Sequence, residues 1–372
     1  MSVAIRGVGT SHFGKQHETP VTELAWRAVT EALDDAEVAD VDAVFVGTVF
    51  GGPGVAQRVL HGVGITGVPV VTIENACASG TSAFAEAHAA IAAGRYERVL
   101  ALGVEHMTTA FDGAIHPEPT DAEGRSGLAM PALYAMAAQR YLHEGKVTLE
   151  QLASVAVKNH RHAIHNDRAQ QGGEHTVAQV LASPMIADPL TLWQCCPISD
   201  GAAAAVLAPA SRPTDVPIRS VAARSGAIWD HRSPRVWGFD LVADTAARAF
   251  EVAGIGPDEL DLVEVHDAFT IGEITTVEAL GLVPEGAAGR AAADGETAIG
   301  GRVPVNPSGG LLSRGHPLGA TGLAQIAEVV WQLRGRAGGR QVEGARTGLV
   351  ETMGGGVSGI DGNACVVTVL GA

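Results

Sequence analysis

Short β-branched runs alternate with alanine-rich helical patterns twice along this chain. The first series begins with "VAIRGVG" and "VTELAWRAVTEALDDAEV" and continues through "DAVFVGTV", "VVTIEN" and "ERVLALGVE". The second begins at Val216 with "VPIRSVAARSG" and "LVADTAARAFEVAG" and continues through "LDLVEVHDAF", "GATGLAQIAEVVWQL" and "RTGLVETMGGG". Such alternation is typical of parallel strands joined by crossover helices. The similar order of the two series predicts a duplicated α/β unit.

The segment between the two series, about residues 109–189, has a different pattern, and we call it the cap segment. It contains two helical patterns, "AMPALYAMAAQRYLHEG" and "LEQLASVAVKNHRHAIHN", and no convincing strand. Because 372 residues exceed what one core usually serves, we predict an N-terminal half at 1–212 with this insertion and a C-terminal half at 213–372. Ligands bind beyond the carboxyl ends of strands in α/β sheets, so we expect the cap segment to cover the site.

The composition is that of a folded protein without a surface for polyanions. Apolar residues make up 46% of the chain and charged residues 18%. The formal net charge of -16 comes without a basic cluster, which argues against nucleic acid or an anionic membrane as a partner. No stretch approaches the roughly 20 uncharged apolar residues of a membrane span. We therefore expect no nucleic-acid and no membrane partner.

The cysteine pattern indicates a reducing compartment. The chain has four cysteines, of which Cys195 and Cys196 are adjacent, and none has CxxC spacing. This pattern fits neither a disulfide framework nor a zinc site. The N-terminal residues also lack the apolar stretch of a signal peptide. We expect a cytoplasmic protein with no metal site.

The stretch "ENACASGTSAFAEAHAAI", residues 74–91, places Cys77 between a predicted strand and a predicted helix. Unpaired N–H groups and the helix dipole at such a turn favour a thiolate. The alternative is that Cys77 is simply a small buried apolar residue. The small residues around it leave room for a bulky acyl group, which favours a nucleophile.

The stretch "VNPSGGLLSRGHPLGATGLAQI" places His316 between Gly315 and Pro317, ahead of a predicted helix. A histidine held on such rigid backbone is well suited to withdraw a thiol proton, although a lone loop histidine is usually a surface residue. A dense set of turn residues precedes it: Asn306, Pro307, Gly309 and Gly310. Each of these residues costs chain entropy unless the backbone must turn at that position. We also place Asn306 among the residues expected to contact the substrate.

Three further positions follow predicted strands. In "VEVHDAFTIGEI" a strand delivers His266 and Asp267 into a turn, and Asp267 is as well explained as the N-cap of the next helix. His106 ends "GVEHM" and is a weaker candidate to face a substrate. The "MGGG" loop, with Gly355 and Gly356, fits either a tight turn or a backbone donor surface for an oxyanion.

With these motifs in series, the sequence resembles the thiolase superfamily, and more narrowly its sterol-carrier-protein-type and archaeal acetyl-CoA acetyltransferase branch. The resemblance is carried by "NACASG", "CPISDGAAAAVLA", "HDAFT", "NPSGGLLSRGHPLGATG" and "MGGG" and spans essentially the whole chain. It implies a duplicated thiolase fold, a five-layered αβαβα core with an inserted loop domain. The predicted repeat and cap segment agree with that fold.

The resemblance also implies a mechanism. Cys77 would attack an acyl-CoA and hold the acyl group as a thioester, and His316 would deprotonate it. His266 would polarise the second thioester, directly or through water. Backbone N–H groups of Cys77 and of the glycines at Gly355 and Gly356 would stabilise the oxyanion, a donor of this kind being worth about 3–4 kcal/mol. Acyl-CoA and CoA would be substrates, and no cofactor would be bound permanently.

The match fails at the second cysteine of the family. Thiolases of the common branches carry it as the first residue of CxGGG, where this chain has Thr352, and the sterol-carrier-protein branch carries it within HDCF, where this chain has Ala268. Removing an α-proton needs a base, so three alternatives stay open. His316 or His266 acts as base, the acyl group passes to an already nucleophilic carbon, or the chain is a retro-aldolase. The last ranks lowest because Cys77 is retained.

Other thiols and histidines are weaker candidates. Cys195 or Cys196 could replace the missing base, although the "CPISDG" motif normally builds a turn and strand. Cys365 is expected in the core, and the histidines of "NHRHAIHN" are spread around a helix, so metal binding there is improbable. The resemblance implies a homodimer or tetramer. It also implies a possible OB-fold, zinc-ribbon partner protein, in which case the chain would work only in complex.

Overall fold

The computed structural model describes residues 2–111 and 113–371. Its strands are β1 (Val3–Thr10), β2 (Ala43–Gly47), β3 (Val70–Ile73), β4 (Val99–His106), β5 (Met185–Ala187), β6 (Leu190–Thr191), β7 (Asp200–Pro209), β8 (Val216–Arg224), β9 (Leu262–Glu264), β10 (Thr347–Gly354) and β11 (Ala364–Gly371). Its helices are α1 (Val21–Ala36), α2 (Val55–Gly62), α3 (Ser79–Ala92), α4 (Ala122–Arg125), α5 (Met130–His143), α6 (Leu149–Ala163), α7 (Val177–Leu181), α8 (Phe239–Ala253), α9 (Thr270–Ala279), α10 (Ala288–Ala293), α11 (Gly310–Arg314) and α12 (Leu318–Leu333).

The strand order repeats in mirror fashion about a central seam. One half has the order β3-β2-β4-β7-β1 and the other the order β8-β11-β10-β9, and the two meet where β1 pairs with β8. In each half the last strand, β7 or β11, runs antiparallel between two strands that share a direction. A parallel bridge from Val263 to Val305 takes the place that β3 has in the first half. The predicted duplication is confirmed.

Two helices lie between the halves of the sheet. Helix α3 packs against β2, β4 and β7 of its own half and against β8 and β11, and α12 packs against β10 of its half and against β4 and β7. Nearly every residue of α12 is buried, including a polar face whose side chains are hydrogen-bonded within the protein: Thr321, Gln325, Glu328 and Gln332. Helices α1 and α8 cover the two outer faces. The layers agree with the expected αβαβα core.

Glycines allow α3 and α12 to touch through their main chains. A Cβ atom on Gly80 or on Gly103 would overlap the carbonyl oxygen of Gly319. A Cβ on Gly319 would itself lie 2.6 Å from the carbonyl oxygen of Gly47 and 2.8 Å from Cα of Thr48. The first turns of the two helices therefore meet at a distance that no side chain would permit.

The cap segment packs on the second half of the molecule. Helices α5 and α6 confirm the two predicted helices, and both contact α9. The prediction of no strand was wrong, because β5 pairs with β6 in a small hairpin. Three residues are too few to show a period of two in the sequence. In the described ranges, every helix is too short or too polar to cross a membrane.

The main-chain contact at Gly319 predicts an inverted mutational effect. A Gly-to-Ala change within a helix is ordinarily stabilising by roughly 0.5–1 kcal/mol. Here the added methyl group collides with β2, so we expect Gly319→Ala to lower the free energy of unfolding by about 1–3 kcal/mol. Urea denaturation would measure the change. Gly113→Ala is the matched control, because no described atom lies within 4 Å of its Cβ position, and an equal loss there would contradict the explanation.

Candidate active site

Cys77 lies in a tight turn between β3 and α3, as predicted. The preceding residue, Ala76, has a left-handed backbone with φ of 48°. Three hydrogen bonds hold it there: Ala76 N–H donates to Glu74 Oε1 (2.7 Å), the Ser79 hydroxyl donates to the Ala76 carbonyl (2.6 Å), and Asn75 N–H donates to Ser79 Oγ (2.9 Å). Such a conformation is costly for a residue with a Cβ and persists only where the surroundings fix it. The strained turn directs the Cys77 side chain into a cavity.

His316 faces Cys77 from the opposite half of the molecule. It lies in the turn between α11 and α12, with its Nε2 atom 3.3 Å from Cys77 Sγ. Its Nδ1 atom lies 2.7 Å from Thr321 Oγ1, and the Thr321 hydroxyl donates to the Pro317 carbonyl at 3.0 Å. Because that hydroxyl proton is already used, Nδ1 carries the hydrogen and donates to Thr321. Nε2 is then the unprotonated nitrogen, ready to accept the thiol proton.

Burial keeps the pair uncharged before substrate binds. Burial raises the pKa of the Cys77 thiol to about 12, while the main-chain N–H groups of Cys77 and Gly355 act in the opposite direction. Burial also lowers the pKa of His316 well below its ordinary value, with smaller effects from His266 and Arg314. The main-chain N–H groups at the helix terminus favour the thiolate, as expected, but they are not the largest influence on the pKa of Cys77. Desolvation outweighs the helix dipole, and a neutral thiol faces a neutral imidazole.

His266 completes the cluster. It follows β9, and its main-chain N–H donates to the buried Glu351 carboxylate at 3.0 Å. Its ring centre lies 5.0 Å from that of His316, and burial lowers its pKa to about 3. The ligand atoms of Cys77, His266 and His316 lie within 4.8 Å of one another. Three such atoms could hold a metal ion, and the short distance between Cys77 and His316 also suits proton transfer between them.

These three residues open onto one cavity of about 650 Å³, which we call the central cavity. The cap segment forms much of its wall, as expected, and most of the other lining residues are apolar. The lining includes Lys15, His17, Phe111, Ile115, Met130, Tyr134, Ile186, Leu192, Cys195, Cys196, Ile198, Ala268, Phe269, Met353 and Gly355. An apolar cavity with a few convergent polar groups at one end is the usual form of a small-molecule site.

The two glycines expected at the oxyanion site have different positions. Gly355 lines the central cavity, and its N–H group stabilises a charge on Cys77. A side chain at Gly355 would overlap the Trp237 ring, and one at Gly354 would overlap the Asn75 carbonyl beside Cys77. Gly356 lines a separate small cavity next to Trp229. The backbone donors at Cys77 are thus its own N–H and that of Gly355.

Asn306 and His106 are not brought to the central cavity, in contrast to the expectation that they contact substrate. Asn306 is buried with φ of 55°, accepts a hydrogen bond from Val265 N–H (2.8 Å) and donates one to Glu273 (2.9 Å). It therefore supports the segment that leads from β9 to His266. The His106 ring lies 3.1 Å from the Gln16 carbonyl and 3.7 Å from the Asp200 carboxylate.

Asp267 has a different role from the predicted N-cap of α9. Phe269 is the N-cap of that helix. The buried Asp267 carboxylate instead accepts hydrogen bonds from Leu311 N–H (2.6 Å) in α11 and from the Asn159 side chain (2.7 Å) in α6. It joins the turn after β9 to the segment that leads to His316.

The residues at the positions of the family's second cysteine, Thr352 and Ala268, have different surroundings. Thr352 is buried and donates to Gln325 Oε1 at 2.7 Å, away from the central cavity. Ala268 lines the cavity, and Cys196 N–H donates to the Ala268 carbonyl at 2.8 Å. Cys365 is buried in β11, in agreement with its expected place in the core.

Three residues near the site were missed from the sequence. Tyr134 on α5 of the cap segment lines the central cavity and packs on Phe269, with ring centres 4.5 Å apart. Thr321 orients His316, and Glu105 accepts hydrogen bonds from loop N–H groups beside the site. Of these three residues, Thr321 had a signal in the sequence, as a hydroxyl residue one turn into the helix after "GHP". The histidines of "NHRHAIHN" gave no shared site, since His162 bonds to the Asn306 carbonyl and His160 packs on His175.

Both halves of the chain match known family models. A model described as "Thiolase, N-terminal domain" matches residues 3–178, and one described as "Thiolase C-terminal domain-like" matches residues 229–367. An acetyl-CoA acetyltransferase of Methanothermobacter thermautotrophicus is 45% identical, with 95% of this chain and 96% of that protein covered. Human sterol carrier protein 2 is 37% identical, with 99% of this chain and 71% of that protein covered. The solved Ltp2-ChsH2(DUF35) aldolase has a TM-score of 0.82 at 27% identity and covers 100% of this chain and 98% of its own.

Removing the hydrogen bond between His316 and Thr321 should make the Cys77 thiol less reactive. In Thr321→Val, Nδ1 loses its hydrogen-bond acceptor, so the tautomer with a proton on Nε2 is no longer disfavoured and a smaller fraction of His316 can act as base. We expect alkylation of Cys77 by iodoacetamide to slow roughly tenfold, a small part of what a general base contributes. Peptide-resolved mass spectrometry would measure the rate. Thr321→Ser should retain it, and an unchanged rate in Thr321→Val would contradict the assigned tautomer.

Proposed function

We propose that this chain, which belongs to the thiolase family and is an acyltransferase, takes an acyl group from acyl-CoA onto Cys77 and transfers it to a carbon nucleophile. The reaction would be an acetyl-CoA C-acetyltransferase type of Claisen condensation, or its reverse. The observation that carries the proposal is the 3.3 Å contact between Cys77 Sγ and His316 Nε2 at the end of the central cavity. The archaeal acetyl-CoA acetyltransferase, at 45% identity, supports the reaction type.

Acylation begins with the neutral pair. His316 Nε2 accepts the thiol proton as Cys77 Sγ attacks the thioester carbonyl carbon, so no free thiolate has to exist beforehand. The N–H groups of Cys77 and Gly355, which already favour a charge on Cys77, stabilise the oxyanion, each contributing about 3–4 kcal/mol. The bond from carbon to the coenzyme A sulfur then breaks, and the departing thiolate takes up one proton. Coenzyme A is thus a substrate and not a resident cofactor.

Transfer uses the other histidine. The acceptor thioester must lose a proton from its α-carbon, and its carbonyl oxygen becomes negative as the carbanion forms. His266, held uncharged by burial, donates a hydrogen bond to that oxygen directly or through water. A neutral imidazole can polarise a carbonyl in this way without giving up its proton. The carbanion attacks the acyl carbon, the bond to Cys77 Sγ breaks, and His316 returns its proton to the thiolate.

Retro-aldol cleavage of a β-hydroxyacyl-CoA is the second candidate function. The similar solved structure, Ltp2-ChsH2(DUF35), is an aldolase. Carbon–carbon cleavage of that kind does not need a nucleophilic thiol, whereas this chain keeps Cys77 in contact with a base. The same aldolase is named for two components, which supports a version of the first proposal in which a small OB-fold, zinc-ribbon partner presents the CoA thioester.

An acyl-enzyme experiment tests the proposed function. After incubation with acetyl-CoA, intact-mass spectrometry should show one acetyl group per chain, located at Cys77 by peptide mapping. Cys77→Ser should lose the thioester, and Cys365→Ser, at a buried thiol away from the cavity, should keep it.

The outcomes separate the candidates. An unmodified wild-type chain would refute acyl transfer through Cys77. Cleavage of a β-hydroxyacyl-CoA that survives Cys77→Ser would favour the aldolase. Acetylation of the isolated chain without turnover, restored by a co-purified subunit, would favour the partner-dependent form.

We also propose a homodimer, in the reducing cytoplasm. All four cysteines are free thiols, which supports that compartment. Strand β3 lies at the edge of the sheet and pairs only with β2 in the described part of the chain, and its Val71 side chain is 45% exposed. An open edge with an apolar side chain invites pairing with another strand. Pairing of two β3 edges would join two copies, and further contacts would give a tetramer.

The edge predicts a mutational effect on assembly. A lysine on an edge strand opposes pairing, so Val71→Lys should shift the mass in light scattering from dimer toward monomer. Val252→Lys is the control, since Val252 is 52% exposed on α8. A dimer that persists in Val71→Lys would place the interface elsewhere.

A further inference from the structure

The proposed condensation leaves one proton without an assigned base. The α-carbon beside a thioester carbonyl is a very weak acid. The group that deprotonates it must therefore lie in the central cavity and be a strong base in its deprotonated form. Neither Thr352 nor Ala268 supplies such a group, since one is buried against Gln325 and the other has no ionisable atom. The base must come from elsewhere in the lining.

The two histidines of the cavity are poorly suited to this step. Burial lowers the pKa of His266 to about 3 and that of His316 well below its ordinary value, so both are weak bases. His316 is in addition committed to Cys77 through its 3.3 Å contact. A thiol has the opposite behaviour under burial, because desolvation makes its conjugate base stronger.

Cys196 stands beside the position that Ala268 occupies. The segment before β7 runs antiparallel to the turn after His266, with a bridge between Cys195 and Phe269 and the 2.8 Å hydrogen bond from Cys196 N–H to the Ala268 carbonyl. This pairing places Cys196 on the lining of the central cavity together with Cys77, His266 and His316. The "CPISDG" loop thus brings a second thiol to the site from a distant part of the sequence.

Cys195 is distinguished from its neighbour by its contacts. Its Sγ atom donates to the Thr191 carbonyl at 3.4 Å, within its own loop. Burial raises the pKa of the Cys196 thiol, a charge on Cys77 would raise it further, and the Cys196 main-chain N–H acts in the opposite direction. Both adjacent cysteines line the central cavity, and Cys196 is the one whose pKa responds to a charge on Cys77.

We propose that Cys196 is the acid and base of the condensation: its thiol protonates the departing coenzyme A, and the resulting thiolate removes the α-proton of the acceptor. The assignment rests on the proposed function. It adds to that function a catalytic residue supplied by the loop before β7.

The proton balance closes with no other reactant. In the first half, His316 takes the Cys77 proton and Cys196 gives its proton to coenzyme A, which leaves an imidazolium and a thiolate in one cavity. Opposite charges created together lower the cost of burying either one. In the second half, the Cys196 thiolate takes the α-proton, the new carbon–carbon bond forms, and the Cys77 thiolate recovers its proton from His316. Nothing is oxidised or reduced.

The pKa of Cys196 agrees with this order of events. The pKa of Cys196 is well above the ordinary value of a thiol, mainly because the thiol is buried and also because Cys195 and Cys77 lie nearby. Cys196 therefore starts protonated, as an acid must, and becomes a strong base only after it has given its proton away. The thiolate is made by the first half-reaction and does not have to be drawn from solvent.

Two measurements on the full-length chain test the assignment of Cys196. The first is acetylation of Cys77 by acetyl-CoA, followed by mass spectrometry. The second is exchange of the acetyl-CoA methyl protons for deuterium in D₂O, which reports α-proton removal alone. We expect Cys196→Ala to reach full acetylation at Cys77 only slowly, because coenzyme A must then leave without its acid, and the acetylation that does occur shows that the variant is folded. Deuterium exchange should fall further than acetylation, by at least about 100-fold.

The matched control is the adjacent thiol. Cys195→Ala should acetylate and exchange like the wild type. The assignment to Cys196 is overturned if Cys196→Ala exchanges at the wild-type rate, if Cys195→Ala loses exchange equally, or if an acetylated wild type shows no exchange. A wild type that is never acetylated would instead refute the proposed function, and with it the premise of this assignment.

Discussion

The contact between the first turns of α3 and α12, main chain against main chain, fixes the geometry of everything around it. Gly80, Gly103 and Gly319 permit this contact because a Cβ at any of them would collide with backbone. Glu105 reinforces it from the same side, since its buried carboxylate accepts hydrogen bonds from Val49 and Phe50 in one half and from Gly319 in the other. The nucleophile at the start of one helix and the histidine before the other are thereby held at hydrogen-bonding distance.

Burial that creates this geometry also sets the protonation states. The same desolvation raises the pKa of the Cys77 thiol to about 12 and lowers that of His266 to about 3. Charge is therefore absent before substrate arrives and appears only as bonds change. When charge appears, the groups that stabilise it are already in place: the backbone N–H groups at Cys77 and Gly355, and His316 in its fixed tautomer. Groups oriented in advance need not reorganise during the reaction, which is how such sites lower a barrier.

The residues of the site come partly from the two halves of the duplicated core and partly from the segments that surround them. Cys77, His316 and His266 come from the turns of the duplicated core. Tyr134 comes from the cap segment, and Cys196 comes from the loop before β7. Ala268 has no ionisable atom, and the Cys196 thiol lies on the segment whose main chain is hydrogen-bonded to Ala268. A neighbouring backbone can thus supply an ionisable group that the usual position lacks.

The resemblance to the thiolase superfamily implied that His316 would face Cys77. The sequence by itself determined the duplicated order of strands and helices, the two cap helices, and the turns that carry Cys77 and His316. These follow from local causes: hydrophobic period sets each element, and glycine and proline punctuate each turn. Asn306 could not be placed in the same way, because its turn-forming signal is equally strong whether the side chain faces a ligand or, as here, ties Val265 to Glu273. Only the tertiary structure decided which thiol neighbours Cys77 and which way each pKa moves. Burial and proximity between distant segments arise from packing of the whole chain, and no short stretch of sequence contains them.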